Sequence, residues 1–163
     1  MRSRTYPLYL GVLVLFLAYF LTARAGLLLG AVSGFATFVW PPTGIALAAL
    51  FVFGYRLWPG IFLAALLVNY VTGAPLIVAA GIALGNTLEA VVGAFLLRRF
   101  ARFEPSLERL PDVLALIGYA ALASTLVSAT IGVSSLLIGG TLAGSAIAPT
   151  WVVGDASCPV MVA

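Results

Sequence analysis

The chain has 163 residues, of which 63% are hydrophobic and 8% charged, with eight basic and five acidic side chains giving a formal net charge of +3. Ordinary soluble domains carry about 25% charged residues, so the composition excludes a water-solvated globular surface. All the basic residues are arginines, histidine and lysine are absent, and Cys158 stands alone, which excludes histidine zinc sites, Ser-His or Cys-His nucleophile pairs, Schiff-base chemistry, a Walker A lysine and an internal disulfide.

The first apolar segment runs from Pro7 to about Thr22 and ends at Arg24. Arg2 and Arg4 ahead of it give the look of a signal peptide, but it lacks a convincing small-x-small cleavage site and more apolar segments follow, so it reads as a first span. The next stretch, Gly26 to Gly54, would be about 43 Å long as one straight helix, more than a hydrocarbon core of about 30 Å allows. Trp40-Pro41-Pro42-Thr43-Gly44 supplies the break, since proline lacks an N–H and leaves the carbonyls of Thr37 and Phe38 without helical partners. The pair either exposes those carbonyls to a ligand or simply starts a new helix. Trp40 and Trp58 read as interfacial anchors more than as stacking platforms.

A third segment follows Pro59 through Ile61 to Thr72, closed by the turn Gly73-Ala74-Pro75. The fourth, Pro75 to Leu97, has full spanning length. A polar stretch, Arg98 to Asp112, reads either as an amphipathic segment on the headgroups, its arginines meeting anionic lipid, or as a solvated connector. A fifth segment covers Val113 to Ile138, and a Gly-rich loop leads to Trp151 and a sixth, short apolar stretch. The expected architecture is therefore all-α, a single-domain polytopic bundle of about five to six spans over residues 1–163. With the N-terminus cytoplasmic, Arg2, Arg4, Arg56, Arg98, Arg99, Arg102 and Arg109 fall inside and Arg24 alone outside, as the positive-inside rule prefers.

An ionisable group in a span needs a reason, and Glu89 is the foremost candidate. It shares a face of the fourth segment with Gly81, Gly85 and Gly93 at four-residue spacing, a small-residue stripe that turns the carboxylate toward the bundle. Asn86 lies on the same side, and Asn69 approaches it across the short hairpin in this reading. The cluster is either a site for a small polar ligand or ion, or a structural set of interhelical hydrogen bonds with Arg56 or Arg98 as counter-charge. Ser124, Ser128 and Ser135 share one side of the fifth segment and suit packing. Asp155 caps the sixth segment or faces the pocket. Cys158 lacks the basic neighbours that would activate a thiol. No cofactor and no metal are expected. The expected partners are the lipid bilayer, a small ligand of unknown identity, and a second copy or a partner signalling protein; with no polybasic run, nucleic acid is not among them.

Four stretches together resemble the bacterial membrane-associated sensor domain family MASE1: Val39-Trp40-Pro41-Pro42-Thr43-Gly44-Ile45-Ala46, Gly54-Tyr55-Arg56-Leu57-Trp58-Pro59-Gly60-Ile61-Phe62, Gly85-Asn86-Thr87-Leu88-Glu89-Ala90 and Trp151-Val152-Val153-Gly154-Asp155-Ala156. The resemblance implies an input module of sensor histidine kinases and diguanylate cyclases in the bacterial inner membrane, and it points to Arg56, Asn86, Glu89 and Asp155 as its polar positions. It brings no ligand or catalytic set. The family pattern continues past Gly154-Asp155 into further spans and an output domain, so a chain cut short at Ala163 is expected. Two other functions stand beside this one: a small transporter or channel subunit working through Glu89 and the Pro41-Pro42 break, and an intramembrane enzyme pairing Glu89 with Asp155. The last lacks the usual helper groups.

Overall fold

A computed structural model describes residues 7–32, 36–37, 41–101, 118 and 124–140. Among the described residues five α-helices carry the architecture: α1 (Leu8–Gly30), α2 (Pro41–Phe53), α3 (Trp58–Val71), α4 (Leu76–Leu96) and α5 (Ser124–Ile138). A 3-10 turn, Tyr55–Leu57, leads into α3, and α4 runs on into a π-helical turn at Leu97–Ala101. The described residues are all-α apart from two strands of two residues each, β1 (Ala31–Val32) and β2 (Ala36–Thr37), paired antiparallel with Ala31 opposite Thr37.

Proline and glycine punctuate the helices where the sequence placed them. Pro41 and Pro42 open α2, their fixed φ being suited to a first turn whose N–H groups have no helical acceptor anyway. Pro59 does the same for α3. Beyond Val71, Gly73 takes φ 103°, a left-handed conformation in which a Cβ is strained, and Pro75 caps α4. The expected end of the first segment at Arg24 needs correcting: α1 passes through Arg24 to Gly30, about 34 Å of helix. Arginine is a good helix former, so its charge marks a boundary for lipid without stopping the backbone.

Contacts between helices give their directions. Gly11 and Gly60 on α1 and α3 set the register: a Cβ at Gly11 would lie 3.1 Å from Leu57, and one at Gly60 would lie 2.7 Å from the Val12 carbonyl oxygen. Rising numbers on both sides make α1 and α3 parallel. Helix α4 is antiparallel to α3 through the hairpin. Along α5, Ser124, Ser128 and Ser135 meet Gly93, Gly85 and Gly81 in that order, so α5 is antiparallel to α4. Leu47 of α2 reaches Gly93, and the carbonyls of Leu50 and Phe51 reach Arg98, so α2 runs with α4. The described helices, taken in chain order, therefore alternate in direction. The start of α1, the α2–α3 corner with Arg56, and Arg98–Arg99 share one end of the bundle.

The described helices expose large apolar side chains on their outward faces and bury several polar ones. Tyr19, Leu50, Ile61, Val68, Val78 and a series of alanines are buried, and so are the polar Thr43, Asn69, Thr87, Glu89 and Ser124. Meanwhile Leu13, Val14, Leu17 and Leu21 of α1, Leu63 and Leu67 of α3, and Leu84 and Phe95 of α4 are exposed. Exposed leucine faces and buried polar residues are what a lipid solvent rewards. Helices α1 and α4 are long and apolar enough to cross a membrane, whereas α2, α3 and α5 are apolar but shorter.

Candidate functional site

The small-residue face of α4 forms the contact with α5. A Cβ at Gly81 would overlap the Ser135 hydroxyl, one at Gly85 would lie 3.1 Å from the Ser128 carbonyl oxygen, and one at Gly93 would lie 3.3 Å from Ser124 Oγ. The glycine stripe and the serine stripe thus mesh, letting the two backbones approach closely enough for short polar side chains to meet. Glu89, on the same stripe and 3% exposed, is held in this seam.

Asn86 ties three helices together there. Its Nδ2 donates to the Tyr19 hydroxyl of α1 at 3.0 Å, and its Oδ1 accepts from the Ser128 hydroxyl of α5 at 3.2 Å. Tyr19 is fully buried. Sequence reasoning missed it, because a tyrosine in an apolar span carries no periodic signal; its mid-span position in α1, unlike that of Tyr9 at the helix start, was the one available clue. Thr87 faces another way and donates to the Ala83 carbonyl of its own helix at 2.7 Å. A chain of neutral groups linking α1, α4 and α5 beside a buried carboxylate is able to bind a small polar species or to change partners when the helices shift.

The remaining candidates divide clearly. Asn69 is buried but donates to the Ala65 carbonyl of its own helix at 2.8 Å, so its expected approach to Asn86 is corrected. In an antiparallel hairpin turning at residues 72–75 the two asparagines are offset by about 12 Å along the axis, too far for side chains this short. Arg56 is exposed in the 3-10 turn. Arg98 is not a counter-charge for Glu89 either. It lies nine residues further along α4, and its Nη2 donates to the Leu50 carbonyl at 3.1 Å and to the Phe51 carbonyl, capping α2. Its guanidinium carbon lies 5.4 Å from the Phe51 ring centroid and 5.0 Å from that of Tyr55. Pro41 and Pro42 start α2, with Pro42 fully buried. Trp40, Asp155 and Cys158 lie outside the described residues, as do the loop beyond Ala101 and the sixth segment.

Comparison with known proteins gives one match. The family model MASE1 covers residues 10–163, nearly the whole chain. No curated protein and no solved structure matches it.

Proposed function

Because the chain belongs to the MASE1 family of membrane-associated sensory domains of signalling proteins, we propose that it is the input unit of a bacterial histidine kinase or diguanylate cyclase system. In this reading it sits in the plasma membrane as a multi-pass bundle of five to six spans. The alternating helix directions support that arrangement, and the shared end that carries Arg56, Arg98 and Arg99 faces the cytoplasm together with the N-terminus.

One observation carries the mechanism: Asn86 joins Tyr19 of α1 to Ser128 of α5 beside the buried Glu89. The signal is a small ligand or a membrane state that changes the packing of α4 against those two helices. A signal shifts the balance between two packings only by as much as it favours one of them, and a polar seam supplies that difference because its hydrogen bonds are made or lost with position. Glu89 and Asn86 are the ligand-facing groups in this account. Tyr19 and Ser128 position Asn86.

The test is a chimaera with a diguanylate cyclase domain appended at the C-terminus, read as cyclic di-GMP in cells. Asn86→Ala and Ser128→Ala are expected to reset the basal output at equal protein level in the membrane. Output indistinguishable from that of the unsubstituted chimaera for both variants refutes the reading.

A further inference from the structure

The corner between α2 and α3, where it meets the end of α4, presents a cationic surface that the buried seam does not use. From its geometry we infer that Arg56 and Arg98 form a binding site for the phosphate of an anionic phospholipid headgroup. This goes beyond the sensory reading and depends on membrane insertion, not on signalling.

Arg98 is held in place before any ligand arrives. Two of its five N–H groups, both on Nη2, serve the Leu50 and Phe51 carbonyls, and the rings of Phe51 and Tyr55 flank the guanidinium. That leaves the Nε N–H and the two Nη1 N–H groups of an exposed side chain to donate elsewhere. An arginine already fixed by two carbonyls and two rings loses little rotamer freedom when it takes a phosphate. Arg56 follows Tyr55 directly and is exposed, which puts a second arginine on the same 3-10 turn that Arg98 meets through Tyr55.

Glu89 is the one acid among the described residues, and it lies nine residues from Arg98, about 13 Å along α4 and buried. Phosphate, which accepts several charge-assisted hydrogen bonds, complements two arginines well. The apolar surroundings select a lipid over a free anion. Val52 and Phe53, just ahead of the corner, are 62% and 76% exposed, and Trp58, just after it, is 48% exposed. A soluble anion gains nothing from these side chains. A phospholipid lays its acyl chains along them while its headgroup meets the arginines, and tryptophan favours that depth.

The experiment follows thermal unfolding of the purified full chain in neutral detergent, titrated separately with phosphatidylglycerol, phosphatidylcholine and inorganic phosphate. A ligand that binds only the folded state stabilises it by RT ln(1 + L/Kd) at free concentration L, so the melting temperature climbs with the logarithm of its concentration above Kd. Phosphatidylglycerol is expected to raise it and the other two to leave it unchanged. Arg56→Gln, a substitution at an exposed site, is expected to weaken phosphatidylglycerol about fivefold, as one arginine at an anionic surface should. Equal shifts from phosphatidylcholine, equal shifts from inorganic phosphate, or full phosphatidylglycerol affinity in Arg56→Gln each overturn the site. The cyclase chimaera reads a different quantity, so loss of the lipid site and loss of the sensory reading are separately visible.

Discussion

The Asn86 bridge lends itself to a double-mutant cycle. Asn86→Ala removes a donor to Tyr19 at 3.0 Å and an acceptor for Ser128 at 3.2 Å. Interhelical hydrogen bonds in membrane proteins average about 0.6 kcal/mol, because the unfolded chain in lipid also finds partners. Two such bonds and a small void give a loss of about 1–2 kcal/mol for Asn86→Ala. Tyr19→Phe keeps the buried ring and removes only the hydroxyl, for about 0.6 kcal/mol. If the bond is real, the double variant is less destabilised than the sum by about 0.6 kcal/mol, since the same interaction cannot be lost twice. Reversible unfolding in mixed micelles, followed by helical circular dichroism, measures all three. Strict additivity within error would refute the bridge, and an Asn86→Ala protein as stable as the parent would refute the whole seam.

Three further outcomes follow from the packing. Gly60→Val should separate α1 from α3, because its Cβ would meet the Val12 carbonyl at 2.7 Å; the expected cost is about 1–3 kcal/mol in the same unfolding assay. Gly73→Ala meets no neighbouring atom but forces a Cβ into φ 103°, so it should cost about 1–2 kcal/mol through the backbone alone. In a Cys158→Ser background, Arg56→Cys and Gly73→Cys should label from opposite faces of sealed vesicles with a membrane-impermeant maleimide, and labelling from the same face would contradict the alternating arrangement.

Much of this was readable in the residues because proline and glycine act locally. Pro41, Pro59, Gly73 and Pro75 placed two helix starts and one turn, and the four-residue spacing of Gly81, Gly85 and Gly93 identified the face of α4 that meets α5. What escaped depends on tertiary placement. Arg98 finds the end of α2 only once α2 and α4 lie side by side, so no spacing along the chain announces it. Asn69 and Asn86 look like partners across a hairpin, but the rise of the helix keeps them apart. Tyr19 gains its role from two helices far away in sequence. The length of α1 was underread because a charge was taken as a terminus, whereas the helix continues through it.

The π-helical turn at Leu97–Ala101 has a geometric effect on whatever follows it. Such a turn absorbs one extra residue, so the backbone leaving Ala101 is rotated by about 100° from the line that α4 would have continued. Conversion of that turn to ordinary helix would swing the emerging chain by the same angle about the axis of α4, without moving a single contact in the seam.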